Sequence, residues 1–289
     1  MPLVGNKYFK LGHVDGQTVA NSSLSSAVVG GADGDKVNNI QATPRTIIID
    51  LHIDGNVEET KREILRVVKF KQRATLVWEQ DGRTISISGL AEAVAMPRWN
   101  NDVIMQITLH CEQPFWEDVD TVIQQINEAI GLHYFTSGGV DMLYFPENGI
   151  AFGEYDTIRE KTFYNDGDVS VGVEITLLAH DTVTNPIIYD VNGNFFGLGY
   201  EYESADGGAG IGTAWVSNPF VMQAGDNVII TTHKGNKTVK HNGVNILDKV
   251  KPNSTWLQLE TGDNVYRISS DDENVDNMSF SITYKQRYI

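Results

Sequence analysis

From residue 160 to its end the chain is a succession of short runs in which apolar and polar residues alternate, each closed by a turn. "VSVGVEITLLAH", "NPIIYDVNGNFFGL", "DNVIITTHKGNKTVKHNGVNIL", "TWLQLETGDNVYRIS" and "SFSITYKQRYI" are punctuated by Asn192-Gly193, Lys234-Gly235-Asn236, Asn242-Gly243 and Gly262-Asp263. A period of two turns one face of each run to a core and the other to water. Gly and Asn accept the positive φ that tight hairpins require. This half therefore reads as an antiparallel sandwich or jelly roll.

The first half carries the same signal with helices added. In "RTIIIDLHID" the residues Ile47, Ile49, Leu51 and Ile53 share one strand face. "GNVEETKREILRVVKF" reads as a helix with Ile64, Leu65, Val67 and Val68 along one side, and Glu58 and Glu59 at its positive end. "ATLVWEQDGRTISISGL" is a hairpin signal around Asp81-Gly82. In "VIMQITLHCEQPFW" the row Val103, Met105, Ile107, Leu109, Cys111 faces inward, and Pro114, with no N–H to donate, stops the ladder. "EDVDTVIQQINEAIG" then fits a second helix, capped by Asp118, with Val119, Val122, Ile123, Ile126 and Ile130 at helical spacing and Gly131 as its stop. The expected class is mainly β with two short helices.

Three segments follow: an exposed arm or loop at 1–44, rich in Gly, Ser, Asn and Asp over 15–42; a first domain at 45–134; and a C-terminal β-sandwich domain at 135–289, with a long loop at 199–218. A chain of 289 residues with 41% hydrophobic residues can bury such cores. Its net charge of -16 divides into -5 over 1–132 (12 basic, 17 acidic) and -11 over 133–289 (10 basic, 21 acidic). Such a surface repels nucleic acid and anionic membrane alike, so neither specific nucleic-acid binding nor membrane insertion is expected. No apolar stretch approaches the roughly 18 residues of a bilayer span, and the start, "MPLVGNKYFKLG", lacks the pattern of a signal peptide.

The only cysteine sits in "HCEQPFWEDVD", 110–120, among a histidine, acids and a tryptophan. A nucleophilic Cys needs a nearby His and a positive setting. Adjacent strand residues point to opposite faces, so His110 and Cys111 diverge, and Cys111 is expected buried and unreactive, with Phe115 and Trp116 as a wedge against the following helix. No CxxC, HExxH or GxSxG occurs. "GGAGIG" (207–212) has the wrong register for a phosphate loop, and "SSDDENVDN" (269–277) lacks calcium-loop spacing. No catalytic residue, metal ligand or cofactor is assigned. Trp215 and Trp256 remain candidates for a ligand or partner contact, as a sugar-stacking platform.

The order of motifs resembles the distal tail proteins of long-tailed (siphovirus-type) bacteriophages. The resemblance runs over 45–289. It rests on "RTIIIDLHIDG", "EETKREILRVV", a hairpin and a strand ending in "CEQPFWED". After these come "FYNDGDVSVGVEITLLAHDTVTNPIIYDVNGNFFGL", "MQAGDNVIITTHKGNKTVKHNGVNIL", "TWLQLETGDNVYRIS" and the last strand, "ITYKQRYI". Residues 1–44 run longer than the family pattern, and 199–218 reads as an insertion. The resemblance implies a non-enzymatic tail-tip protein: a hexameric ring built by β-sandwich-like N-terminal domains, with galectin-like C-terminal sandwiches projecting outward. It implies contacts with the tail tube protein, the tail-associated hub protein and receptor-binding proteins or host glycans. The location it implies is the virion tail tip, after assembly in the bacterial host cytoplasm. Two other readings stay open: a carbohydrate-binding adhesion module, and a glycoside hydrolase on a β-sandwich.

Overall fold

The computed structural model describes the whole chain except residues 32, 70, 81, 97, 100–101, 127–128, 132–152, 156–159, 205–213 and 272–276. It divides into two units. One is Met1–Val119 with Arg287–Ile289, and the other is Asp120–Gln286.

The N-terminal unit is built on an eight-stranded antiparallel sheet. Its main path runs Phe9–Asp15, Arg45–Ile53, Asp102–Cys111, Arg83–Ala95, Trp116–Asp118 and Arg287–Tyr288. Arg73–Gln80 pairs antiparallel with Arg83–Ala95, with Gln80 opposite Arg83 and Gly82 at φ 80°, while Asp81 of the expected turn lies outside the described residues. The alternation read from sequence holds: Ile47, Ile49 and Leu51 are buried on one strand, and Met105, Ile107, Leu109 and Cys111 on its neighbour.

One helix, Val57–Val67, closes this core. The Asn56 side chain accepts hydrogen bonds from the Glu58 and Glu59 amides at 3.1 and 3.3 Å, taking up two of the amides a helix start leaves unpaired. Only a narrow stripe turns inward, Thr60 and Ile64, one helical turn apart. Leu65 and Val67, expected on the inner side, are exposed, because a short helix resting along a single row rotates its neighbours away. Residues 15–42 are more ordered than a loop. Ser22–Val28 and Asp35–Ala42 form a hairpin whose described residues are all exposed. Its root is tied by Thr43, whose amide donates to the Asn21 carbonyl at 2.9 Å.

The C-terminal unit is a β-sandwich. A six-stranded sheet runs Val122–Ile126, Met278–Tyr284, Glu174–Ala179, Asn227–His233, Asn236–His241 and Val244–Asn245. A four-stranded sheet runs Glu160–Asn165, Gly262–Ser269, Ile187–Asp190 and Phe195–Gly197. Ile175, Leu177, Val228, Ile230, Phe280 and Ile282 from the first pack with Phe163, Ile188, Phe196, Tyr266 and Ile268 from the second in one core.

The second helix expected after Asp118 does not form. Asp118 ends the strand Trp116–Asp118, and Val122–Ile126 is an edge strand paired with Met278–Tyr284. Val119, Val122, Ile123, Ile126 and Ile130 are all β-branched, which favours a strand once a partner edge is present. Ile123 is exposed, and Gln124 turns inward, donating to the Tyr284 hydroxyl at 3.4 Å. The loop expected at 199–218 is in its described parts a strand pair, Tyr200–Ser204 with Ala214–Asn218.

Candidate functional site

The segment 110–120 comes apart into structural pieces. Cys111 is fully buried, and burial pushes its thiol pKa up against the opposing pull of the Arg45 guanidinium. Gly89 lies against it. A Cβ there would stand 2.7 Å from the His110 carbonyl oxygen and 2.8 Å from Cys111 Sγ. Arg45 is buried beside them. Its Nη1 donates to the Gly16 carbonyl at 3.4 Å, its Nε and Nη2 find no hydrogen-bond partner among the described residues, and burial lowers its pKa. Glu112 pairs instead with exposed Arg73 at 2.5 Å. Trp116 is buried in the N-terminal core, taking its place on a strand rather than against a helix.

A feature that sequence reading missed lies at the chain's end. Arg287–Tyr288 pairs with Trp116–Asp118, with Arg287 opposite Glu117 and Tyr288 opposite Trp116. Arg287 Nε donates to Glu117 Oε1 at 2.8 Å. The Tyr288 hydroxyl donates to Asp118 Oδ2 at 2.8 Å, and the Arg83 guanidinium lies 3.3 Å over the Tyr288 ring. Burial first, and then the bond to Asp118, push the Tyr288 pKa up to about 12. A cavity of about 640 Å³ opens here, lined by Trp78, Arg83, Trp116 and Tyr288 among others. An apolar groove of about 880 Å³ in the same unit runs along Leu3, Leu11, Val68, Leu76 and Trp78. The partners are some 170 residues apart in sequence, so no local spacing announced them.

In the C-terminal unit, the asparagines of the family-like motifs act as loop staples. Asn165, fully buried, donates to the Val169 and Leu259 carbonyls and accepts from the Gly167 amide. Asn185, before Pro186, adopts φ 49°, accepts from the Phe220 amide at 2.8 Å and donates to Asp271 at 2.6 Å. Asn242 accepts from the Asn227 amide and donates to Asp226, which also pairs with His241 at 3.1 Å. Asn264 bonds both the amide and the carbonyl of Glu260. Such side chains satisfy backbone groups that irregular loops leave unpaired.

Trp256 precedes the strand Gln258–Leu259. It is half-buried, its ring centroid 5.1 Å from that of Phe196, with Lys237 Nζ 5.5 Å away. Trp215 lies on the strand Ala214–Asn218, and its side chain falls outside the described residues, as do all of "GGAGIG" and residues 272–276 of the acidic turn. Among the described residues no group of His, Cys, Asp and Glu gathers as a metal site, and no helix is long and apolar enough to cross a membrane.

A two-unit β protein stapled in this way, with a single α-helix among its described residues, has the fold of a phage tail hub protein. The chain is similar to the crystal structure of SPP1 Dit, described as a paradigm of the hub adsorption apparatus in phages infecting Gram-positive bacteria, with TM-score 0.63 at 11% identity over 98% of this chain and 94% of that one. The phage p2 baseplate in its activated conformation, with strontium, gives TM-score 0.46 at 13% identity over 99% and 93%. No curated protein matches the sequence. Residues 215–288 match the model for the siphovirus-type tail component, C-terminal domain. The resemblance to distal tail proteins is thus borne out, by family over that segment and by fold over nearly the whole chain.

Proposed function

We propose that the chain is a non-enzymatic structural component of a phage tail tip. It assembles as a ring of six subunits that joins the tail tube to the tail-associated hub protein, while its C-terminal units carry receptor-binding or other adhesion proteins. The match of residues 215–288 to the siphovirus-type tail component is the observation that carries this reading. Two features of the N-terminal unit support it. The hairpin at 22–42 exposes Leu24, Val28, Val37 and Ile40, apolar side chains suited to lying on a neighbour. The apolar groove of about 880 Å³ offers a separate surface, as a head-to-tail closed ring requires. The net charge of -16 suits a channel through which DNA slides without adhering.

Light scattering and negative-stain imaging of the purified chain test the proposal. The expected result is a mass near six subunits and a six-fold ring with a central hole. A monomer that persists at high concentration, with no ring, overturns it.

A further inference from the structure

Asparagine followed by glycine is prone to lose its side-chain amide, because the glycine nitrogen, unshielded by a Cβ, closes readily on the asparagine Cγ. The chain holds three such pairs, Asn148-Gly149, Asn192-Gly193 and Asn242-Gly243, of which the first lies outside the described residues. The other two both sit in hairpin turns of the C-terminal unit. Asn192-Gly193 joins Ile187–Asp190 to Phe195–Gly197, and Asn242-Gly243 joins Asn236–His241 to Val244–Asn245. Both asparagines are exposed, both glycines have positive φ, 79° and 83°, and a Cβ built on either glycine would meet nothing within 4 Å. In sequence and in access to solvent the two pairs are alike.

Their carboxamides differ. At Asn242 both side-chain polar atoms are held. Nδ2 donates to Asp226 Oδ1 at 2.7 Å, and Oδ1 accepts from the Asn227 amide at 3.0 Å. Asp226 is ionised at neutral pH, its pKa held at about 2, so the first of these bonds is charge-assisted. The Asn192 side chain makes no hydrogen bond among the described residues. Its backbone amide alone is engaged, donating to Asp190 Oδ1 at 2.8 Å. Asp190 also accepts from the Asn194 amide at 2.8 Å and from the Asn194 side chain at 2.7 Å, which fixes the turn and leaves the Asn192 carboxamide free to rotate. The Gly193 amide donates to the Asp190 carbonyl at 3.2 Å, the longest bond of this turn and the one that must open for attack.

We propose that Asn192 is a site of spontaneous deamidation, and that the clamp of Asp226 and the Asn227 amide spares Asn242. The Gly193 nitrogen gives its proton to solvent and bonds to Asn192 Cγ. The Cγ–Nδ2 bond breaks and ammonia leaves with a proton from solvent. A five-membered succinimide remains, and water opens it at either carbonyl, to aspartate or to isoaspartate. At Asn242 the same attack requires the carboxamide to give up both of its bonds first. Either product at 192 disturbs the turn. A new carboxylate stands two residues from that of Asp190, and like charges so close repel. Isoaspartate also adds a methylene to the backbone between Asp190 and Asn194, a span that the Asp190 bonds hold at fixed length. The hairpin of Ile187–Asp190 and Phe195–Gly197 therefore loosens as the protein ages. The site stands whether or not the chain forms a ring.

The test ages the full chain in mildly alkaline buffer, native and in parallel unfolded in guanidinium chloride. Peptide mapping by mass spectrometry, with fragmentation that separates aspartate from isoaspartate, follows both asparagines. In the native chain Asn192 is expected to convert at least about tenfold faster than Asn242, the factor that one charge-assisted hydrogen bond sets. In the unfolded chain the two rates are expected to converge. Asp226→Ala, which removes the acceptor of Asn242 Nδ2, is expected to raise the native rate at Asn242 and to leave that at Asn192 unchanged, with melting to establish that the variant is folded. The comparison of native with unfolded parent chain needs no variant. Two results overturn the proposal: Asn192 converting no faster than Asn242 in the native chain, or a difference between them that persists undiminished on unfolding.

Discussion

Asp226 shows how much a single side chain carries in this fold. It sits in the turn before Asn227–His233, where its carboxylate accepts from the Gln223 amide at 2.8 Å and from Asn242 at 2.7 Å, with His241 at 3.1 Å. The Gln223 amide first, and then the Asn242 and His241 side chains, hold its pKa at about 2 against an ordinary 3.8. A carboxyl whose folded pKa is depressed contributes stability above its unfolded pKa and loses it as pH falls through the folded one. The window is therefore pH 4 down to 2. Asp226→Asn is expected to flatten the acid limb of the unfolding curve in that window and to leave the slope above pH 5 unchanged, as urea melts at stepped pH would show. An acid limb equal to that of the parent chain would mean that these bonds form equally in the unfolded chain.

Elements were legible where one local rule decided them. The strands Arg45–Ile53 and Asp102–Cys111, the Asp81-Gly82 hairpin and the helix with its acidic first turn all follow from periodicity and turn chemistry. Residues 118–131 misled because β-branched residues at helical spacing satisfy both patterns, and the deciding partner, Met278–Tyr284, is about 150 residues distant. The cross-strand row on the outer face of the four-stranded sheet was invisible for the same reason: Glu160, Arg267, Tyr189 and Phe195 come from four strands, and only register aligns them. Gly89 is another case. In sequence it is one small residue in an alternating run, but in the sheet it is where Arg83–Ala95 crosses closest to the end of Asp102–Cys111. The 2.7 Å approach is to a backbone carbonyl, which has no rotamer to yield. Gly89→Ala is expected to force the two strands apart and cost about 1–3 kcal/mol, the range of overpacked cores. Chemical denaturation measures it. A second readout is the Cys111 thiol, which should react faster with a thiol reagent in the variant. Unchanged stability and unchanged labelling would show that the strands separate at no cost.

At the scale of the molecule, the last three residues belong to the unit in which the chain began. Arg287–Tyr288 extends the N-terminal sheet beyond Trp116–Asp118, and without it that strand would become an exposed edge. The side chains reinforce the pairing: Arg287 on Glu117 at 2.8 Å, Tyr288 on Asp118 at 2.8 Å, and Arg83 over the Tyr288 ring. Removal of 287–289 strips the Trp116 side of the sheet of a pairing partner and leaves Glu117 and Asp118 without these bonds. Hydrogen exchange reads the consequence element by element. The amides of Trp116–Asp118 and of Ile85 and Ser86, which pair with Glu117 and Asp118, are expected to lose protection in the truncated chain. Those of Asn227–His233, in the other unit's core, are expected to keep theirs. Burial of Tyr288, and then its bond to Asp118, give a pH signature. With a folded pKa of about 12 against an ordinary 10, Tyr288 contributes stability below pH 10 that is lost as pH rises toward 12. Tyr288→Phe should remove that alkaline slope while keeping the ring under Arg83. Protection lost equally in both units would show instead that the C-terminal strand stabilises the chain as a single cooperative whole.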